Sequence, residues 1–219
     1  MKKNSILIAI PIIALLLLLS IPGFAIPIVE LKPESQEITM GETIDVAIVI
    51  SGLGDYDSKS LGGFDLLFGF NSDILKFNGV KFGDPILGDQ LSLSPLIPSE
   101  TRSEKYSDSS WEIFETSFDS VDDINGNQAD SFTLATVSLD PIGIGLSLLS
   151  ISQMSVTSDL KSYPLSDALG DTFPEYKLIG SSINVTPAPS PVPEPATLLL
   201  FGTGLAGLVG LGRKKFRKI

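Results

Sequence analysis

Short segments in which apolar and polar residues alternate constrain the fold of this chain more than any other feature. Every second residue is apolar in residues 43–50, and the same alternation recurs in 64–70. A period of two places all the apolar side chains on one face of a β-strand. Other segments of similar character, two of them short enough for edge strands, are 74–82, 111–118, 131–139, 146–154, 176–185, 29–31 and 36–39.

Turn-forming residues separate these segments. None of the segments has the periodicity of an amphipathic helix of three turns. About nine short strands with one apolar face each are buried most simply in two sheets packed face to face. We therefore predict an all-β fold, a two-sheet antiparallel sandwich, over residues 26–186. The Ser-, Pro- and charge-rich stretch 92–110 is predicted to be a long mobile loop.

The absence of two residue types limits the chemistry. The chain has no cysteine and no histidine, which excludes disulfides, thiol nucleophiles, Cys/His zinc sites and Ser-His-Asp triads. Charge is also distributed unevenly, because seven of the 15 basic residues lie at the two ends. Between Ile26 and Pro193 there are 8 basic and 25 acidic residues, a net charge of about −17. Such a middle region repels phosphate backbones, so we expect no nucleic-acid partner.

The N-terminus has the form of a secretory signal peptide. Lys2 and Lys3 precede an apolar run at 6–19, and the small residues Gly23 and Ala25 follow it. This order predicts a signal peptide over 1–25 with cleavage after Ala25. An uncleaved membrane anchor is the alternative, and in either case the chain leaves the cytoplasm.

The C-terminus predicts a linker, a membrane helix and a basic tail. Residues 187–195 contain five prolines, which favour an extended linker. Residues 196–212 carry no charge, and as a helix they would cover about 26 Å. That length is slightly short of a hydrocarbon core of about 30 Å, but basic flanks help such a helix to span it. The tail 213–219 would stay in the cytoplasm, with the acidic domain outside.

Two motifs in this region together resemble the PEP-CTERM sorting signal. One is the sequence Val192, Pro193, Glu194, Pro195, and the other is the basic cluster Arg213, Lys214, Lys215, Arg217 and Lys218 after the glycine-rich helix. The resemblance implies recognition by an exosortase, a membrane processing enzyme of Gram-negative bacteria that make exopolysaccharide. It further implies a cut near 193–195 and transfer from the inner membrane to the outer surface or matrix. An ordinary tail anchor is the alternative.

The middle of the chain resembles the cohesin domain. The segments MGETIDVAIVISGL, LGGFDLLFGFNSDILKFNGVKFGDPILG, DSFTLATVSLDPIGIGLSLLSIS and LSDALGDTFPEYKLIGSSINV carry the resemblance. It implies a jelly-roll sandwich related to carbohydrate-binding modules. Cohesins bind dockerin modules through a sheet face, so the resemblance also suggests an exported protein partner.

A cluster of oxygen-bearing side chains raises the possibility of calcium. The cluster consists of Asp119, Asp122, Asp123, Asn125, Asn127 and Asp130. Three of these match the opening D-x-N-x-N of an EF-hand loop, but Gln128 stands where that loop needs glycine and Leu134 where it needs glutamate. A polar loop stabilised by Asx turns is the favoured interpretation, with calcium as the alternative. We assign no metal ligand and no cofactor.

Paired carboxylates and the single tryptophan are the remaining candidates. Glu112 with Glu115 or Asp119 would suit a polysaccharide hydrolase. However, a spacing of three places Glu112 and Glu115 on opposite faces of a strand, and the sequence indicates no cleft that would raise a pKa. We assign no catalytic residue. Trp111 would either stack on a sugar ring or fill the rim of the core, and we favour the core.

These observations predict a non-enzymatic, exported surface or extracellular-matrix protein that acts as a binding or structural module in the envelope or exopolysaccharide. Its expected partners are an exosortase-type processing enzyme and either a polysaccharide or another exported protein. A cohesin-like scaffold for a dockerin-type partner is the alternative function. A polysaccharide hydrolase is the third.

Overall fold

The computed structural model describes residues 26–53, 60–154, 164–189 and 199–207. These residues form twelve strands and two short helices. The chain divides into two compact units, Met1–Thr186 and Pro187–Ile219. The first unit contains all twelve strands. The predicted signal peptide at 1–25 lies outside the described residues.

One sheet of the sandwich has five strands. Their order across the sheet is β11 (Lys177–Ile179), β1 (Ile28–Pro33), β3 (Ile44–Ser51), β8 (Phe132–Pro141) and β5 (Leu75–Phe82). The alternation that predicted β3 appears in its burial, because Ile44, Val46, Ile48 and Ile50 are all buried while the residues between them are partly exposed. This sheet therefore presents one apolar face to the interior.

The second sheet has seven strands. Its order is β2 (Glu37–Thr39), β12 (Ser181–Thr186), β9 (Gly145–Gln153), β4 (Leu61–Gly69), β7 (Ser110–Thr116) and β6 (Glu100–Ser107), with β10 (Leu165–Asp167) beside the start of β4. Strand β4 contributes Phe64, Leu66 and Phe68 to the core. Phe64 reaches Phe82 of the five-stranded sheet, with the ring centroids 6.5 Å apart. The two sheets thus close around one common core, as predicted.

Two features of the pairing differ from the predicted antiparallel sandwich. The pairs β1–β11 and β2–β12 are parallel, whereas all other pairs are antiparallel. The segment 176–185, predicted as one strand, is divided at Gly180, where the chain leaves the five-stranded sheet and enters the other. A Cβ atom at Gly180 would lie 2.4 Å from the carbonyl oxygen of Leu149. Only glycine fits this crossing without displacing the neighbouring backbone.

The predicted loop 92–110 contains a strand that the sequence does not indicate. Strand β6 occupies Glu100–Ser107 and pairs with β7 along its length. Its sequence, ETRSEKYS, lacks apolar alternation because β6 is an edge strand and contributes no residue to the buried core. Edge strands carry charged residues of this kind, which oppose pairing with another chain. The loop prediction was therefore wrong for the second half of the segment.

Candidate functional site

Two leucines on the outer face of the seven-stranded sheet are exposed. Leu146 is 57% and Leu148 69% exposed, while Ser147 between them is buried. The register puts Leu149 and Ile151 in the core. Because side chains alternate along a strand, Leu146, Leu148 and Ser150 point outward. Ser147 is accommodated inside because its hydroxyl accepts a hydrogen bond from the backbone N–H of Asn71 at 3.0 Å. Exposed leucines next to a buried serine reverse the usual distribution.

These leucines border a shallow depression of about 480 Å³. Leu67 from β4 and the β9 serines Ser150 and Ser152 also line it. Gly69 forms part of the wall, and a Cβ atom there would lie 2.4 Å from the Ser150 hydroxyl oxygen. The outer surface formed by Leu67, Leu146, Leu148, Ser150 and Ser152 is called the leucine face below. It combines apolar side chains with short hydroxyls, a composition that suits a partner with mixed polarity.

A cluster of charges adjoins the leucine face on the same side of the sheet. The Arg102 guanidinium of β6 forms an ion pair with Glu112 of β7 and lies 4.7 Å from the centroid of the Phe114 ring. The hydrogen bond to Glu112 raises the pKa of Arg102. Burial raises the pKa of Asp65 on β4; the nearby Glu112 charge adds to that rise, and Arg102 opposes it. We call these four residues the Arg102 cluster.

The Arg102 cluster leaves two polar atoms unsatisfied. Asp65 Oδ1 and Arg102 Nε are buried, and neither has a hydrogen-bond partner within the described part of the chain. Buried polar atoms without partners are costly and uncommon in folded proteins. The cluster therefore places two unsatisfied polar atoms on the same outer face as the exposed leucines.

The predicted pair Glu112 and Glu115 lies on opposite faces of β7, as expected from their spacing. Glu115 is fully buried, and its Oε1 accepts a hydrogen bond of 2.7 Å from the Ser99 hydroxyl. Burial raises the pKa of Glu115 to about 8; the Ser99 hydrogen bond lowers it and the nearby Asp89 raises it further. The sequence indicated no cleft that would raise a pKa here, and burial in the core raises it instead. Glu115 does not line the depressions bordered by Leu146, by Trp111 and by Gln36.

The calcium candidates lie largely on a helix. Helix α1 spans Val121–Asn127, with Ser120 as its N-cap, and the hydroxyl of Ser120 accepts a hydrogen bond from the backbone N–H of Asp123 at 3.2 Å. Asn125 accepts a hydrogen bond from Ser60, and the Asn127 side chain donates to the backbone carbonyl of Asp123 at 2.9 Å. The prediction of a polar loop was therefore wrong for these seven residues.

Asp119, another candidate from this segment, also has a structural partner. Asp119 Oδ2 accepts a hydrogen bond from the backbone N–H of Leu93 at 2.7 Å, which attaches the connection between β5 and β6 to this region. Asp122 lies in the first turn of α1 and Asp130 follows the helix. Among the residues that the structure describes, no group of three or more acidic side chains is arranged to hold a metal ion.

Trp111 lies at the rim of the core. Its ring stacks on Phe77 of the opposite sheet, with the centroids 3.9 Å apart and the planes 9° from parallel. The side chain is half-buried and packs against the core cluster. Trp111 therefore packs at the rim of the core against Phe77, and it also lines a depression at that rim.

The predicted sorting and cleavage residues lie outside the described residues. They are Ala25, Val192, Pro193, Glu194, Pro195, Arg213, Lys214, Lys215, Arg217 and Lys218. Between residues 192–195 and the basic cluster, residues 199–207 form helix α2, in which Leu199, Leu200 and Phe201 are at least 68% exposed. No helix in the described ranges has the length and hydropathy required to cross a bilayer.

Sequence reasoning missed the residues that make the outer face distinctive. Arg102 lies in the segment predicted as a loop, and the exposure of Leu146 and Leu148 is hidden because GLSLLSIS has apolar residues at both parities. Two apolar residues lie at each parity of this segment, so alternation alone does not identify the outward-facing leucines; only the strand register does.

Comparison with known proteins gives two findings. Residues 191–215 match the PEP-CTERM protein-sorting motif. No curated protein matches the sequence.

The sandwich is similar to several solved cohesin structures. It resembles the cohesin module of a family 33 glycoside hydrolase from Clostridium perfringens at 16% identity and a TM-score of 0.52, covering 75% of this chain and 99% of the module. A type II cohesin from the cellulosome of Acetivibrio cellulolyticus gives 15% identity, a TM-score of 0.56, and coverage of 73% and 95%. A type I cohesin in a cohesin–dockerin complex from Clostridium thermocellum gives 12% identity and a TM-score of 0.50, with coverage of 72% of this chain and 99% of the other.

At these identities the likeness establishes the fold. The motif match establishes the nature of the C-terminal segment independently, because it rests on a different part of the sequence. The chain therefore combines a cohesin-like β-sandwich with a PEP-CTERM protein-sorting motif at residues 191–215.

Proposed function

We propose that this protein is a non-enzymatic binding module, exported through its N-terminal signal peptide and sorted by an exosortase-type enzyme to the outer surface or matrix of a Gram-negative cell. The sorting motif at 191–215 supports the route. The cohesin-like fold supports a binding role rather than a catalytic one. In this proposal the apolar helix at 196–212 holds the chain in the inner membrane before processing, and the basic residues at 213–219 stay in the cytoplasm.

The observation that carries the binding role is the leucine face. Leu146 and Leu148 are more than half exposed although the core beneath them is complete. Burying a leucine side chain against a partner contributes roughly 1.5 to 3 kcal/mol. The leucines project from paired strands, whose backbone is ordered before binding, and this favours a protein partner that lies flat against the sheet.

A second candidate function follows from the same face and from one of the similar structures. That structure is a complex between a cohesin and a dockerin. By this analogy the leucine face would hold a dockerin-type module of another exported protein, with the Arg102 cluster contributing charge selectivity at the edge of the contact. The specific observation that favours it is the combination of exposed leucines and charged groups on one sheet face.

The test is a pull-down from the exported fraction of the native host with the mature protein as bait. The double variant Leu146→Asp, Leu148→Asp places two charges on the leucine face without touching the core. The matched control is Leu169→Asp, which alters a leucine that is 66% exposed outside β9.

The proposal predicts one stoichiometric partner that the wild type and Leu169→Asp retain and the double variant loses. A partner with dockerin sequence features would favour the scaffold function. Equal recovery by the double variant would show that the leucine face does not bind it. Release of sugar from isolated polysaccharide, abolished by a single carboxylate substitution, would overturn the non-enzymatic role.

A further inference from the structure

A second depression, distinct from the leucine face, lies at the rim of the sandwich beside the Trp111–Phe77 stack. Its volume is about 430 Å³. Phe77, Trp111 and the half-exposed Ile142 provide apolar walls, and Lys76, Lys105 and Asp108 provide charged groups around them. Pockets with apolar walls and a few polar groups at defined positions are typical of small-ligand sites.

The charges around this depression are unusual for so acidic a protein. The residues between Ile26 and Pro193 have a net charge of about −17. Of the six basic residues that the structure describes in the sandwich, two line this one depression. Lys105 Nζ pairs with Asp108 Oδ1 at 2.6 Å. Lys76 is exposed and forms no salt bridge within the described ranges.

We propose that this depression binds an acidic saccharide, a short run of sugar rings that carry carboxylates. The C–H faces of sugar rings pack on aromatic and aliphatic side chains, which Phe77, Trp111 and Ile142 supply. The Lys76 ammonium donates to a sugar carboxylate, and Asp108 accepts hydrogen bonds from ring hydroxyls. The charged residues that line the depression, Lys76, Lys105 and Asp108, sum to one positive charge, which matches one sugar carboxylate at a time. Asp140 lies opposite Lys76 on β8 and accepts hydrogen bonds from Thr43 and Asn78.

Non-specific attraction of a polyanion does not account for such binding. A net charge of about −17 repels anionic polymers at long range. Association with an acidic sugar therefore requires local contacts that overcome this repulsion. The inference is independent of the leucine face, because neither Leu146 nor Leu148 lines this depression.

The experiment is a titration of the full-length chain with a hexamer of galacturonic acid, and with maltohexaose as the neutral comparison. Trp111 is the single tryptophan, so intrinsic fluorescence reports directly on the depression. Calorimetry measures the same affinity without relying on the tryptophan. The variants are Lys76→Ala and Trp111→Phe, and the matched control is Lys81→Ala, an exposed lysine on the same strand that does not line the site.

We expect the acidic hexamer to change the fluorescence and to bind more tightly than maltohexaose. Lys76→Ala should weaken its binding about tenfold, the usual effect of losing one hydrogen bond to a charged group. Trp111→Phe should weaken it less, and Lys81→Ala and the double leucine variant should bind normally. Three results would overturn the proposal: no binding of the acidic hexamer, equal binding of both hexamers, or equal weakening by Lys76→Ala and Lys81→Ala.

Discussion

Strand β7 buries two carboxyl groups three residues apart, and it does so in opposite ways on its two faces. On the outer face, Glu112 forms an ion pair with Arg102, which also covers the Phe114 ring. On the inner face, Glu115 has a hydroxyl donor, Ser99, and a second carboxyl group, Asp89, and no cation among the described residues pairs with it. Burial of the carboxyl group is therefore tolerated through a neighbouring cation for Glu112 and through retention of the proton for Glu115.

The largest expected change in the free energy of unfolding is for Glu115→Gln, on the inner face. The pKa of Glu115 is raised from its ordinary value of 4.5 to about 8. Below pH 4.5 both the folded and the unfolded chain hold this proton. Between 4.5 and 8 only the unfolded chain releases it, so the free energy of unfolding falls by about 1.4 kcal/mol per pH unit.

Glutamine keeps the shape of the protonated acid and cannot ionise. We expect Glu115→Gln to match the wild type near pH 4 and to be more stable by about 4 to 5 kcal/mol at pH 9. Urea unfolding at a series of pH values measures the difference. Parallel pH profiles for the two proteins would contradict the assignment of the proton to Glu115.

The outer face gives the next largest effect, in Arg102→Ala. This change leaves Glu112 buried without its cation. It also removes the positive charge that opposes the repulsion between Glu112 and Asp65. Removing one partner of a buried pair costs about 3 to 5 kcal/mol, and because the Arg102 side chain is 40% exposed we expect about 2 kcal/mol. Denaturant unfolding at pH 7 measures it.

Arg102→Lys is the matched variant, since it keeps the charge and loses the planar contact with Phe114. We expect its free energy of unfolding to lie between those of the wild type and Arg102→Ala. If Arg102→Ala were as stable as the wild type, the ion pair would not be what makes burial of Glu112 tolerable.

The smallest effect is expected for Glu104→Gln. Glu104 lies directly opposite Glu112 on β6 but is exposed. Water screens such a charge, so the free energy of unfolding should change by less than about 0.5 kcal/mol. A loss comparable with that of Arg102→Ala would mean that charge number, rather than burial, governs this face.

The fold was predictable where burial leaves a mark on the sequence. Strands β3, β4 and β8 have one face in the core, so their apolar residues recur with the period of the strand. Strand β6 and helix α1 contribute little or nothing to the core, and both were missed. Gly180 divides a predicted strand because of a close approach to Leu149, a contact between residues distant in sequence.

The binding surface was less predictable than the fold. The sorting motif can be read directly because its parts are contiguous and chemically distinct. The leucine face and the Arg102 cluster join residues of separate strands, and only the sheet order brings them together. The raised pKa of Glu115 is caused first by its burial; Asp89, which raises it further, and Ser99, whose hydrogen bond lowers it, lie in a connection that has no periodic pattern.

Sorting by the C-terminal motif is tested most directly by the intact mass and cell fraction of the mature protein from its native host. The comparison is between the wild type and the triple variant Pro193→Ala, Glu194→Ala, Pro195→Ala. We expect the wild type to lack the residues after the 193–195 region and to be found in the outer or extracellular fraction, while the variant stays uncut in the inner membrane. If both proteins keep Ile219 and remain in the membrane, the C-terminal segment is an ordinary anchor and the sorting function is wrong.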